Sequence, residues 1–252
     1  PQWWGAEGNG IHNDTRAIQQ AVDFYPFYKF DHPDIETAEI FSGGTIFFPA
    51  GKYLVTSSID YKSQLTFRGA GWSSLIYFRP TSEKGLFITD RSLLTAGSAS
   101  AESMHQVTFE CLGMVGDLGQ NGSGNAKYGI YAYNNRTLTI RDCYISNFQY
   151  GVYLDGTESG YSYHNGLFRT MVRNCLRCLY VNQWNNGFYV YGGVLKNSYF
   201  IRSGARNTEY LAEVHASAGV FTNVDISGGP GYSPSRAAVF DRGIGTSYTG
   251  CY

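Results

Sequence analysis

Residues 43–78 read GGTIFFPAGKYLVTSSIDYKSQLTFRGAGWSSLIYF, and this stretch decides the fold. It holds four short apolar-rich runs, at 45–48, 53–55, 65–67 and 75–78, each cut off by Gly, Pro or Ser. Runs this short, rich in β-branched and aromatic residues and punctuated by turn formers, predict strands rather than helices. Pro49 cannot donate to a ladder and ends the first strand, and Gly51 takes the turn after it. No Asn-Gly type dipeptide separates the runs, so the chain is expected to bend and continue rather than double back.

A repeat extends that reading along the chain. IRDC at 140–143 returns as VRNC at 172–175, LKNS at 195–198, FTNV at 221–224 and YTGC at 248–251, with looser copies FECL at 109–112 and FRGA at 67–70. A second block follows the later copies: GVYLD at 151–155, CLYVN at 178–182, LAEVH at 211–215 and AAVFD at 237–241. Two strand-like blocks recurring mostly every twenty to thirty-odd residues predict a stacked β-solenoid. Asn or Asp third in the first block suits a tight turn through the left-handed region, and the small or apolar residue after it suits an interior column.

The segments WGAEGNG at 4–10, NDTRAIQQAV at 13–22 and GGTIFFPAGKY at 43–53 resemble the start of the pectate-lyase-like superfamily of right-handed parallel β-helices. Within it, the lead-ins NGLF at 165–168 and NGFY at 186–189 are most similar to phage tailspike depolymerases. The resemblance covers nearly the whole chain. It implies an all-β, right-handed parallel β-helix with a short N-terminal capping α-helix, assembly as a homotrimer, and a bacterial surface polysaccharide as partner. It further implies a place on the virion tail or, alternatively, secretion. Its motifs specify fold more than chemistry, since such folds host lyases, hydrolases and non-enzymes. The expected activity is polysaccharide depolymerisation, by glycoside hydrolysis ahead of lyase chemistry; a secreted bacterial enzyme or a non-catalytic glycan-binding spike are the alternatives.

Composition agrees with one elongated β-helix domain over 1–252, made of a cap region and loop at 1–42 and coils at 43–252. Charged residues make up only 15% against 21 Tyr and 31 Gly, and the net charge is −1. That balance excludes a basic nucleic-acid surface and gives the exterior the aromatic and amide character of carbohydrate binders. No apolar run approaches the roughly 20 residues that span a bilayer. Apolar Ala17, Ile18, Ala21, Val22 and Tyr25 fall at helical spacing after Asp14, the expected N-cap of the plugging helix. Residues 26–42 are expected as a long loop, 92–103 as a surface loop, and 117–125 as a loop rather than a calcium site. Of the five cysteines, Cys143, Cys175 and Cys251 occupy equivalent repeat positions and are read as a stack of reduced interior thiols, and the Cys175–Cys178 pair lacks the companions of a metal or redox motif. No cofactor or metal is expected. The chain stops at Tyr252 just after the first block of another coil, which predicts a fragment of a longer solenoid.

Alternation in the second block turns Val152 and Leu154 inward and Tyr153 and Asp155 outward. Applied to every coil, it predicts one outward column of Tyr131, Tyr153, Tyr180, Glu213 and Val239 and another of Tyr133, Asp155, Asn182, His215 and Asp241. Tyr131, Tyr133, Tyr153, Tyr180 and Asn182 are the candidate substrate-binding residues, because a phenol offers sugar C–H groups an apolar face and a hydroxyl. Tyrosine also simply favours strands and stacks between coils. Glu213 and Asp241, one coil and two residues apart, have Cα atoms roughly 8 Å apart. That suits the carboxyl spacing of about 6.5–9.5 Å in an inverting glycosidase. They are the leading acid/base pair, with His215 beside them, Asp155 as a further candidate, and Asp225 and Glu158 in reserve. A lyase would draw its base from His164, Arg169, Tyr153 or His215. The chain lacks the Asn-Thr-Asp, Gly-His-Gly and Arg-Ile-Lys series of a polygalacturonase and the acidic calcium cluster of a pectate lyase, which disfavours both pectin activities.

Overall fold

The computed structural model describes residues 1–25, 27–32, 35–41, 43–89, 104–119, 122–158, 162–197, 210–228 and 238–252. The chain winds as a right-handed parallel β-helix whose coils contribute to three long sheets and one short one. Sheet I stacks eight strands, from Gly44–Phe48 and Leu65–Gly69 through Thr108–Glu110, Thr139–Arg141, Gly166–Phe168 and Tyr189–Tyr191 to Val220–Thr222 and Ser247–Thr249. Sheet II stacks eight more, beginning with Asn9–Asn13 and Gly51–Val55 and ending with Asp225–Gly228. Sheet III has seven, among them Ala126–Tyr133, Tyr150–Asp155, Arg177–Val181, Ala212–Val214 and Val239–Asp241. The short sheet IV joins III back to I through Met104–His105, Asn135–Arg136, Ser162–Tyr163 and Asn185–Asn186. All four runs expected between 43 and 78 are strands, and a fifth, Ile59–Tyr61, lies between them.

Left-handed residues turn many of the corners. Between sheets I and II these are Cys111, Asp142, Arg169, Gly192, Asn223 and Gly250, all with φ between 47° and 61°. Between sheets II and III, Asn147 and Asn174 do the same at 62° and 55°. Because both corners use one strand–left-handed residue–strand signature, the sequence repeat had slipped from one sheet to the next. Val172 and Leu195 belong to sheet II strands, whereas Phe109, Ile140, Phe221 and Tyr248 share sheet I with Leu167 and Val190. The expected cysteine stack is corrected accordingly: Cys143 sits at the I–II corner and Cys175 at the II–III corner, in separate columns. Both thiols are fully buried, and burial pushes Cys143 up to about 12, so it stays a small apolar filler.

Aromatic side chains fill the first coils. Phe109 stacks on Phe67 at 4.9 Å and meets Phe87 at 4.9 Å and Tyr61 at 5.5 Å, and all four are fully buried. Burying each such ring contributes about 1.5–3 kcal/mol. Helix α1, Thr15–Asp23, covers the open end with buried Ala17, Ile18, Ala21 and Val22. Asp14 holds the N-cap position, but its carboxylate makes no bond to the helix. It reaches back to accept Glu7 N–H at 2.8 Å and Gly8 N–H at 3.2 Å, with His12 Nδ1 at 3.1 Å, while Asn13 Oδ1 accepts Thr15 N–H at 3.2 Å. The Asn13–Thr15 cluster therefore ties the leading strand to the helix.

Residues 26–42 are not simply a loop. Phe27–His32 and Ile35–Phe41 pair as an antiparallel hairpin outside the solenoid. The signal was present, since both segments alternate apolar and polar residues around Pro33-Asp34. In the 117–125 segment, Asp117 Oδ1 accepts Asn125 N–H at 2.9 Å and Ala126 N–H at 2.7 Å, closing the loop. The surface loop expected at 92–103 lies outside the described residues.

Candidate functional site

Sheet III presents the outward face that the sequence singled out, but its alternation breaks once per coil. Gly129-Ile130, Gly151-Val152, Cys178-Leu179 and Leu211-Ala212 are each buried in succession. This places a third set of residues, Tyr128, Tyr150 and Arg177, in one outward column ahead of the break. A strict period of two does not find them. The available signal was a pair of adjacent small or apolar residues at the same point of each coil.

The first expected column stands as Tyr131, Tyr153, Tyr180 and Glu213, but it ends in Phe240 rather than Val239. The second runs Tyr133, Asp155, Asn182 and His215, and it ends in Arg242 rather than Asp241: Asn182 N–H bonds Leu154 O, His215 N–H bonds Val181 O, and Arg242 N–H bonds Val214 O. Asp241 pairs with Val214, an interior position. Its Oδ2 accepts the Tyr248 hydroxyl at 2.7 Å and its Oδ1 accepts Gly243 N–H at 2.7 Å, and the Tyr248 ring stacks on buried Phe221 at 4.9 Å. The connection through 216–237 does not preserve the coil spacing, so the AAVFD block enters one residue out of step. In a strand that slip exchanges inside for outside. Glu213 and Asp241 therefore stand at opposite parities, although Asp241, in the last sheet III strand, is itself exposed.

A cluster forms instead about Glu213. Its Oε1 lies 3.1 Å from His215 Nε2, and its Oε2 accepts Arg177 Nε–H. The Glu213 and Arg177 side chains are 15% and 18% exposed. The Arg177 guanidinium lies 5.8 Å from the rings of both Tyr150 and Tyr210, and the His215 ring 5.7 Å from Tyr180. One coil on, Arg242 lies 4.9 Å over the Phe240 ring. Below the cluster the tyrosines pack ring on ring: Tyr153 on Tyr180 at 4.3 Å, Tyr150 against Tyr153 at 5.2 Å, and Tyr128 against Tyr131 at 5.0 Å. Burial pushes Tyr128, Tyr153 and Tyr180 above the usual phenol range. They therefore remain neutral donors and apolar surfaces rather than bases.

Asp155 also faces outward, accepting the Tyr131 hydroxyl at 2.7 Å, Asn182 Nδ2–H at 2.5 Å and its neighbour Gly156 N–H at 2.9 Å. Two coils and two residues from Glu213, it leaves their Cα atoms about 12 Å apart. The other candidates lie apart from this face. Asp225 begins a sheet II strand, and Glu158 is exposed after the Tyr150–Asp155 strand. His164 hydrogen-bonds Tyr189 at 3.1 Å by sheet I, and Arg169 pairs with Asp142 at 2.7 Å. Among the described residues no group of three or more His, Cys, Asp or Glu is arranged to hold a metal ion, and no described helix is long and apolar enough to cross a membrane.

A right-handed parallel solenoid with a helical cap at its open end is the fold of the pectate-lyase-like β-helices, and this chain is similar to them in fold. The model of the family described as rhamnogalacturonase A/epimerase, pectate lyase-like, matches residues 3–110. The ORF18 protein of Geobacillus virus E2 has the same fold at a TM-score of 0.76 and 19% identity, over 100% of this chain and 47% of that one. Tailspike protein 2 of the Escherichia coli O157:H7 bacteriophage CAB120 is similar at a TM-score of 0.57 and 13% identity, over 98% of this chain and 33% of that one. Plasmin and fibronectin-binding protein A of Streptococcus pneumoniae is 38% identical over 60 residues, 24% of this chain and 7% of that protein. The chain thus spans less than half the length of each of these proteins.

Proposed function

We propose that this chain is the β-helical part of a phage tailspike-type protein, carried on the virion, that binds and cleaves a bacterial surface polysaccharide along the outward face of sheet III. The fold shared with a viral protein and a tailspike supports the setting. The observation that carries the chemistry is the Glu213–His215 contact of 3.1 Å at the end of a continuous tyrosine face.

That contact favours elimination from a uronate-containing chain. If His215 Nε2–H donates to Glu213, the lone pair on Nδ1 is left to take the proton next to the uronate carboxylate. Glu213, held by Arg177, orients the ring. Arg242, next to His215 in the column, carries the charge that offsets the substrate carboxylate as the carbanion develops. The C–H electrons form the new double bond, the glycosidic C–O bond breaks, and the leaving oxygen takes a proton from water. Tyr150, Tyr153 and Tyr180 hold flanking sugars.

Hydrolysis is a second reading, favoured by Asp155, which Tyr131 and Asn182 hold facing outward. Glu213 would then be the general acid. The separation of about 12 Å exceeds the usual inverting range, so a carboxylate from a neighbouring subunit of a homotrimer would complete the pair. Incubation with a panel of capsular polysaccharides tests both. New reducing ends with the ultraviolet absorbance of an unsaturated sugar support elimination, and reducing ends without it support hydrolysis. Binding with no new ends makes the chain a glycan-binding spike and overturns the catalytic reading.

A further inference from the structure

Sheet I has an outward face of its own. In one column across successive coils stand Arg68, Glu110, Arg141, Phe168 and Tyr191. The Glu110 side chain is 6% exposed, while Arg68 and Arg141 are 60% and 51% exposed. Arg141 donates through Nε at 2.6 Å and through Nη2 to Glu110 Oε2, and Arg68 Nε lies 3.4 Å from Oε1. Two guanidinium groups thus share one carboxylate, which leaves the strip positive.

Directly above the arginines is an array of nearly parallel rings. Phe168 and Tyr191 are 5.7 Å apart at 11°, Tyr191 and Tyr189 6.1 Å apart at 13°, and Tyr189 and His164 6.0 Å apart at 5°. Tyr191 is 38% exposed. In the next coil the residues paired with Tyr189 and Tyr191 are Val220 and Thr222, both shorter than a ring. The array therefore ends on phenol rings that, among the described residues, have no aromatic partner in register in the next coil.

We propose that this part of sheet I is a second glycan-binding surface, separate from the sheet III site, and that it takes an acidic oligosaccharide. Sugar C–H groups lie against Tyr189 and Tyr191, and a sugar carboxylate lies on the guanidinium groups of Arg68 and Arg141. The positive strip beside apolar rings selects this ligand over a neutral glycan, which would use only the rings. The surface does not depend on what sheet III does.

The test is isothermal titration of the Tyr180→Ala protein, which weakens the sheet III face, with a homogalacturonan hexamer and with maltohexaose. The acidic hexamer is expected to bind, to weaken as salt is raised, and to bind at least about tenfold more tightly than maltohexaose. Adding Tyr191→Thr, the residue the next coil uses at this position, is expected to weaken it by about tenfold or more while leaving the melting temperature in place. Unchanged binding in the double variant, equal affinity for the two hexamers, or loss of all binding in Tyr180→Ala alone each overturns the proposal. So does a change of solution mass on Tyr191→Thr, which would make this face a contact between copies.

Discussion

Replacing Glu213 by Gln probes the sheet III cluster most directly. The substitution keeps size and shape but removes the charge that faces both Arg177 and His215. Breaking a fully buried pair costs about 3–5 kcal/mol, and an exposed pair about 0–1. With side chains 15% and 18% exposed, this pair lies between those limits, and the expected loss is about 2 kcal/mol. For a chain of this length that lowers the melting temperature by roughly 4–8 °C. The kinetic effect should be far larger than a partial loss of folded protein. A histidine released from its orienting carboxylate loses much of the roughly 10²–10⁴-fold that a positioned base supplies. Turnover of a cleaved capsule, followed by product absorbance or reducing ends below the melting transition, should show kcat falling by at least about a hundredfold with KM little changed. His215→Gln should fall by a similar factor. The double variant should be scarcely worse than either single one, because groups acting as a unit are not additive. Glu213→Asp should recover part of the rate. If the two single losses multiply in the double variant, or if Glu213→Gln loses only stability, Glu213 does not position His215.

Three further outcomes follow from the packing and the charges. Asp241→Asn, altering a residue of interior parity bonded to Tyr248, should leave kcat within about threefold of wild type, and a loss of a hundredfold or more would return it to the catalytic pair. Phe109→Ala empties a site between three aromatic rings and should cost about 3–5 kcal/mol, read as a fall in the denaturant midpoint at unchanged slope; a cost under about 1 kcal/mol would contradict the packing described. The hydrogen bond to Asp14, assisted by Glu7, holds His12 above its ordinary value of 6.5. Its contribution to stability is therefore fully present below that value and is lost as pH rises through the folded one, so the melting-temperature gap between wild type and His12→Gln should close with rising pH; a gap independent of pH counts against the pairing.

Much of the fold was legible because its signals are local. Runs of three or four apolar-rich residues set off by Gly, Pro or Ser, as Pro49 ends the run at 45–48, predict strands whatever surrounds them. The apolar stripe of Ala17, Ile18, Ala21 and Val22 predicts a covered helix face without knowing what it covers. Tyr131, Tyr153, Tyr180 and Glu213 were placed together because the second block carries its register inside itself. The hairpin at 27–41 is also written locally, in its alternation about Pro33-Asp34.

Other features depend on relations between coils, which a chain does not encode at fixed spacing. The I–II and II–III corners share one local conformation, so Cys143 and Cys175 look equivalent in sequence and stand at different corners in space. The buried pairs at Gly151-Val152 and Cys178-Leu179 break the parity and bring Tyr150 and Arg177 out to the face. The long connection before Val239 shifts the last sheet III strand by one residue, putting exposed Asp241 in register with interior Val214 and setting Arg242 beside His215. The sequence alone determined that the chain coils and that Tyr131, Tyr133, Tyr153, Tyr180, Asp155 and Glu213 belong to one sheet. Only the tertiary structure decided which charges meet there, because hydrogen-bonded register between coils, rather than distance along the chain, sets which side of a strand each side chain takes.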